Sequence, residues 1–447
     1  MDKAPSRIVD EVARALLESG LTGARLVIGL SGGLDSVVLL HCLTGLMSEL
    51  RLDVSALHVH HGLSPHADDW ARFCARLCGR AGVPFAQVAI VVDRDSGLGT
   101  EAAAREARYA VFRRQPVDAV ALAHHQDDQA ETLLLQLLRG AGVRGLSAMP
   151  LVRTLDAASG LRLVRPLLDV PRAEIHAYAC EHDLSWIEDE SNADARFERN
   201  FLRGEILPRL AQRFPAAIET LSRAALNLAD AQSVLDDVAR LDARRALRAE
   251  GLEVRVLGRL SGARARNLLR WFLEREGMGA PSRERIEEAL RQGLLARSDA
   301  RVRVKVGPGW LQRHRGRLYV EPVRPDPPPA WRVPWRGEQA LRLPVGLGSL
   351  RFEPATGAGL SLAQLRATEV LVRARTGGER MRLAPERPSR TLKNLLREAA
   401  IPAWQRDRLP LLFAGEVLVW APGVGEDRRY AAGAGEAGVM PSWDRPG

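Results

Sequence analysis

Residues 24–50 read ARLVIGLSGGLDSVVLLHCLTGLMSEL. The run from Ala24 to Leu30 is apolar and rich in branched side chains, it stops at Ser31-Gly32-Gly33, and a helical pattern follows. That succession predicts a strand, a tight turn and a helix. Outward from it the rhythm repeats, with strands over 54–60, 85–92 and 118–124 and helices over 67–81, 100–114 and 128–139. Such alternation predicts an α/β fold, a doubly wound parallel sheet covered by helices on both faces. Ligands of these sheets bind beyond the carboxyl ends of the strands, where the motifs below fall.

After Pro150 the pattern loosens. Pro171 opens another helix, and helical text rich in Ala, Leu and Arg runs from about Pro215 to Gln292 before two strand-like pieces, ARVRVKVG and RLYVEPV. The first domain is predicted over 1–214 and a helical middle domain over 215–322. The proline-dense stretch 323–334 is predicted to be a stiff linker. A small α+β domain fills 335–447. Between Val370 and Tyr430 it carries 12 Lys/Arg against 7 Asp/Glu, a local balance of +5.

The whole chain of 447 residues has 64 basic and 55 acidic residues, a formal charge of +9 that favours a polyanionic partner such as nucleic acid. No apolar run approaches the roughly 18 to 20 residues of a membrane span, and the N-terminus lacks an apolar signal region, so a soluble cytoplasmic protein without a membrane partner is expected. Four cysteines fit a reducing compartment. Lys3, Lys305 and Lys393 are the only lysines, so 61 of the 64 basic residues are arginine. A Walker-type phosphate loop and a Schiff-base lysine are therefore excluded between Lys3 and Lys305.

Ser31-Gly32-Gly33-Leu34-Asp35-Ser36 stands at a strand end and opens a helix. Adjacent glycines allow a sharp turn and close backbone approach, and the amides of the next helical turn favour a phosphate. Ser31 and Ser36 can add hydroxyl donors, and Asp35 suits a bridging Mg2+. A second motif, HVHHGLSPHADDW, begins at His58. A third, EAAAREARY from Glu101, sets Arg105 and Arg108 three apart on one helix face. In the fourth, HHQDDQAET from His124, the carboxylates of Asp128 and Glu131 project together from a first helical turn. They could hold Mg2+ or a substrate ammonium group, or simply compensate the helix dipole. A zinc hydrolase built on His58, His60 and Asp127 would leave the glycine turn without a task. Cys74 and Cys78, spaced i,i+4 on an apolar helix face, read as buried structural thiols. A non-catalytic RNA-binding protein would need neither the turn nor the acids.

The hexapeptide resembles the PP-loop of the N-type ATP pyrophosphatases. Together and in this order the four motifs resemble the tRNA(Ile)-lysidine synthetases, as do RPLLDVPRAEIHAY from Arg165, WIEDESNADARFERNFLR from Trp186, and the C-terminal TGGERMRLAPERPSRTLKNLLREAAIPAWQRDRLPLL. The resemblance implies an adenine-nucleotide-hydrolase-like fold. It implies a ligase that adenylates the C2 oxygen of the wobble cytidine in an isoleucine tRNA with a CAU anticodon, then lets free L-lysine displace AMP. A tRNA thiolase of the same superfamily is the alternative it leaves. ATP would lie on Ser31, Gly32, Gly33, Leu34, Asp35 and Ser36, with Mg2+ on Asp35. Catalysis would use Asp35, Asp128, Glu131, Arg105 and Arg108, with lysine on Asp128, Glu131 and Arg105. Contacts to tRNA would come from Arg199, Asn200, Arg203, Arg380, Lys393, Arg397 and Arg406, with the middle domain also touching tRNA. A homodimer is expected from the family. The chain departs from the family pattern at His60, at Ser64 and at Thr376-Gly377-Gly378-Glu379.

Overall fold

Burial alternates along the strand before the glycines because successive side chains point to opposite faces. Leu26 and Ile28 pack to one side and Val27 to the other, so helices must cover both faces of the sheet. The computed structural model describes residues 7–445 apart from 61, 63–65, 92–99, 157, 189–195, 197, 249–250, 298–301, 324, 329 and 387. Two compact units result, Met1–Leu235 and Asp236–Gly447.

The first unit contains α1 (Arg7–Glu18), β1 (Arg25–Gly29), α2 (Leu34–Leu50), β2 (Asp53–His60), α3 (Ala67–Ala81), β3 (Phe85–Ala89), α4 (Thr100–Phe112), β4 (Ala119–Ala121) and α5 (Gln126–Leu138). It continues with the single turn α6 (Val143–Leu146), β5 (Val152–Asp156), β6 (Leu161–Val164), α7 (Arg172–Glu181), α8 (Glu198–Phe201), a π turn over Leu202–Ile206, α9 (Leu207–Arg213) and the start of α10 (Ala217–Ala246). The strand order is β3-β2-β1-β4-β6-β5. All neighbours run parallel except β5, which returns antiparallel along β6, so the sheet is mixed where a parallel one was expected. The cause is local: the Asp156 carboxylate accepts the Ser159 amide at 2.9 Å and closes a tight hairpin. One layer buries residues of α1, α2, α3 and α7 against the sheet; the other buries Tyr109 and Phe112 of α4. The chain moves outward from β1 to β3 and then restarts beside β1 with β4. The crevice at such a reversal is where ligands of these sheets sit.

In the second unit, α10 is followed by β7 (Leu247–Arg248), β8 (Gly251–Glu253), α11 (Val254–Leu257), α12 (Gly262–Arg275), α13 (Arg283–Leu295), β9 (Arg303–Val306), β10 (Gly309–His314) and β11 (Arg317–Pro322). The stretch expected to be helical, about 215–292, is mostly helix but holds the short strands β7 and β8, which join the two expected strand pieces and the GWLQRH that folds back between them in a five-stranded sheet, β7-β8-β11-β10-β9. Arg332–Trp335 is strand β12 rather than linker, since Trp331 and Trp335 sink into the C-terminal core. The remaining elements are β13 (Ala340–Arg342), β14 (Ser349–Thr356), β15 (Leu360–Ser361), α14 (Leu362–Arg366), β16 (Val370–Arg373), β17 (Arg380–Met381), β18 (Arg390–Thr391), α15 (Leu392–Glu398), α16 (Ala403–Arg406), β19 (Leu411–Ala414), β20 (Val417–Ala421), β21 (Gly425–Glu426) and β22 (Ala437–Asp444). They build sheets in the orders β12-β16-β19-β20-β21 and β13-β14-β22-β15, plus the pair β17-β18.

Candidate active site

The bend after β1 is held open by its own side chains. Gly32 has φ +88°, a conformation that L side chains rarely adopt, and a Cβ there would stand 2.8 Å from Ile187 Cδ1. Ser36 Oγ donates to the Gly33 carbonyl at 2.9 Å and accepts the Gly32 amide at 3.2 Å, while Ser31 Oγ accepts the Gly33 amide at 3.3 Å. The Ile187 amide closes on the Gly32 carbonyl at 2.9 Å. The two serine hydroxyls, expected as donors to phosphate, here brace the bend. The α2 amides that open the helix face the crevice with the positive end of the helix dipole.

Asp35 rides on the first turn of α2. Burial pushes its carboxyl above the usual range, with His125 pulling the other way. Its Oδ1 is buried without a hydrogen-bond partner, and its Oδ2 lies 3.7 Å from Nε2 of the buried His125. An orphaned, partly desolvated carboxylate oxygen beside a phosphate-binding bend fits a hard divalent cation such as Mg2+.

Because β4 pairs with β1, α5 starts next to the bend. The His125 amide donates to Asp128 Oδ2 at 3.0 Å, and the Arg172 amide to Asp127 Oδ2 at 2.9 Å. Glu131 is fully buried, which an ionised carboxylate tolerates only with close partners. They come from 68 and 72 residues downstream. Arg199 Nε reaches Glu131 Oε2 at 2.7 Å, and Arg203 Nε reaches Glu131 Oε1 at 2.6 Å. Both guanidinium groups also donate to Asp128 Oδ1, at 3.3 and 3.0 Å. Burial alone would raise Asp128, but His125 and Arg199 lead the groups that hold it down at about 2. Burial likewise opposes the charge on Arg203, yet its bonds to Glu131 keep it above the ordinary arginine value.

Asp35, Asp128, Glu131, Arg199 and Arg203 therefore gather at one end of the sheet, and His125, notable in the sequence only as one of the histidines near strand ends, sets its Nε2 3.7 Å from Asp35 Oδ2 and 3.5 Å from Asp128 Oδ2. The expectation that Arg199 and Arg203 face RNA meets a different arrangement, in which they neutralise the two buried acids. Asn200 is half-buried between them in sequence. On α4, Arg105 is exposed and Arg108 half-buried; Arg105 Nη2 donates to the Tyr109 hydroxyl at 3.4 Å. The motif residues Ser191, Asn192 and Ser64 lie outside the described residues. His58 is buried with its Nδ1 donating to the Leu30 carbonyl at 2.9 Å, and among the described residues no group of three or more His, Cys, Asp or Glu gathers to hold a metal ion. Burial pushes the thiols of Cys74 and Cys78 up to about 12 and about 11, so neither is an available thiolate.

In the second unit Lys393 and Arg397 are exposed four residues apart on α15. Arg380 Nε donates to Ser389 Oγ at 3.1 Å, and Arg406 Nε to the Ile401 carbonyl at 2.9 Å. Arg373, Arg380 and Arg429 line a cavity of about 370 Å³ with Gly377 and Gly378.

The model of the PP-loop domain matches residues 6–210, that of the TilS substrate binding domain residues 252–319, and that of the TilS substrate C-terminal domain residues 370–443. A tRNA(Ile)-lysidine synthase of Nitrosomonas europaea is 43% identical over 98% of this chain and 96% of its own length. One from Azoarcus sp. is 45% identical over 94% of this chain and 92% of its own. Among solved structures, a U34-tRNA thiolase from Methanococcus maripaludis overlays 49% of this chain and 77% of its own at a TM-score of 0.43 and 18% identity. Matched to these relatives over more than nine tenths of each chain, the protein belongs to the tRNA(Ile)-lysidine synthase family.

Proposed function

We propose that the chain is a ligase that joins free L-lysine to C2 of the wobble cytidine in the CAU anticodon of isoleucine tRNA, forming lysidine with release of pyrophosphate and AMP. The observation that carries the chemistry is the juxtaposition of the glycine bend, the orphaned Asp35 oxygen and the acidic start of α5 at the sheet's reversal point.

A carbonyl oxygen on a ring carbon leaves poorly, and adenylation turns it into part of a good leaving group. The bend from Ser31 to Ser36 positions the triphosphate against the helix dipole, so that the base oxygen meets the α-phosphorus in line. Asp35 is the residue to hold Mg2+, which when bound neutralises charge building on the departing pyrophosphate. Arg108 supplies the cationic contact to the nucleotide where no lysine side chain exists, Arg105 being turned onto the Tyr109 ring, and a guanidinium suits bidentate oxyanion binding. The lysine ammonium is read by Asp128 and Glu131 in competition with Arg199 and Arg203. Lysine must lose a proton before its nitrogen attacks C2, and AMP then departs with the original oxygen. Lys393, Arg397, Arg380 and Arg406 hold the tRNA body through its phosphates.

The test is incubation with ATP, Mg2+, labelled lysine and total tRNA, followed by nuclease digestion. Label in a modified cytidine is the expected result. ATP consumption with unlabelled tRNA would overturn lysine as the nucleophile.

A further inference from the structure

Four residues at the carboxyl end of the sheet have no part in the bend or the acidic helix. Arg165 directly follows β6, and its side chain is buried to 2% exposure. Its Nη1 donates to the Pro150 carbonyl at 2.6 Å, while its Nε is buried without any hydrogen-bond partner. Beside it the Tyr109 ring carries two more guanidinium groups, Arg105 at 5.2 Å and Arg153 at 5.1 Å from the centroid. Arg105 and Arg153 are exposed, so the group opens to solvent. Among the described residues none of the three arginines has a carboxylate within ion-pair distance.

Three like charges around one ring repel one another, and a buried guanidinium with an unmet donor is costly. Burial pulls Arg165 down to about 10, Tyr109 acts the other way, and Arg153 and Arg105 add to the fall. An oxyanion relieves all of these at once, and guanidinium forks suit it in geometry. Position tells which oxyanion. From β1 the sheet runs β4, β6, β5, so Arg165 and Arg153 stand two and three strands from the glycine bend, toward the β5 edge of the sheet. At about 4.8 Å per strand, Arg153 lies roughly 14 Å from the bend, on an open edge that a polymer can run along.

We propose that Arg105, Arg153 and Arg165, gathered round Tyr109, form an oxyanion subsite that takes a backbone phosphate of the RNA substrate toward the β5 edge of the sheet. This deepens the lysidine reading and rests on it. A carboxylate of the free amino acid and a phosphate of the nucleotide share the same chemistry, and separate titrations distinguish them.

The experiment uses the full chain with Arg153→Gln, an exposed position, and Arg165→Lys, checked for folding by circular dichroism. Equilibrium binding of an isoleucine tRNA transcript is measured across salt concentrations, alongside KM for ATP and for lysine. For Arg153→Gln the tRNA affinity is expected to fall about three- to tenfold and the salt slope to shrink by about one, with both small-molecule KM values unchanged. Arg165→Lys, which keeps the charge and loses the fork, should weaken tRNA binding by a similar factor with the salt slope nearly unchanged and both small-molecule KM values unaltered. Unchanged tRNA affinity and slope in both variants would overturn the subsite. A rise confined to the lysine KM or to the ATP KM would overturn its assignment to RNA. If the enzyme made no lysidine, the product assay would reveal that failure while the tRNA titration still reported on the subsite.

Discussion

Asp35 combines two properties that rarely coexist, partial burial and an oxygen with nothing to bond to. Replacing it with alanine removes the only feature of the bend suited to a cation while leaving the serine braces intact. Asp35→Ala should abolish AMP formation and leave tRNA affinity nearly unchanged; equal loss of both would show that the carboxylate holds the fold together. Gly32 fails for a different reason. Its φ of +88° strains any L residue, and the nearby Ile187 methyl must also shift. Gly32→Ala should destabilise the protein by about 1–2 kcal/mol in denaturant titrations and raise the KM for ATP.

At the scale of elements, α5 and the α8 segment are joined by charge across 68 residues of sequence, from Glu131 to Arg199. Removing the charge on Glu131 leaves two guanidinium groups around a neutral amide. Glu131→Gln should lower stability by about 3 kcal/mol, read as a fall in melting temperature, and a shift below about 1 kcal/mol would contradict the arrangement. His124 lies three residues past β4, just before α5 of the same cluster. Burial pulls it down to about 3, Asp128 acts against this, and Arg165, Arg199 and Arg108 reinforce it. Its folded value lies below the roughly 6.5 of an unfolded chain, so as the pH drops the unfolded state takes up the proton first. The associated stability is complete above about pH 6.5 and is lost progressively toward about pH 3. His124→Gln should flatten the decline of melting temperature between about pH 6 and pH 4 relative to the parent. These elements also show what a one-dimensional reading can and cannot find. The strand-turn-helix at Ala24, the helix over 67–81 and the acids of α5 were legible because periodicity and glycine placement are local signals. The partnership of Arg199 and Arg203 with those acids was not, because it depends on a return of the chain and on a π turn at Leu202–Ile206 that no residue pattern announces. Arg165 and Arg153 were missed for the same reason, their meaning being set by Tyr109 on another element.

Over the whole molecule, arginine replaces lysine almost throughout, and the exposed pair Lys393 and Arg397 is an exception in kind rather than in charge. Phosphate contacts release counterions, so their loss shows in salt dependence before it shows in chemistry. The double change Lys393→Ala with Arg397→Ala should weaken tRNA binding, reduce the salt slope by about two, and leave lysine-independent ATP binding alone; an unaltered slope would remove α15 from the RNA surface. The sheet found in the middle region shows where composition misleads. Alanine, leucine and arginine favour helix, and strands β7, β8 and β10 form because neighbours pair with them, not because their own residues demand it.

The arginine-to-acid knot has a mechanical corollary. Asp128 and Glu131 against Arg199 and Arg203 make an electrically balanced clasp, and the clasp fastens α8 and the π turn after it back onto the helix that starts beside the nucleotide bend. An incoming amine that borrows either acid unfastens one strap, so amide exchange along residues 198–213 becomes a remote gauge of whether that acid is occupied.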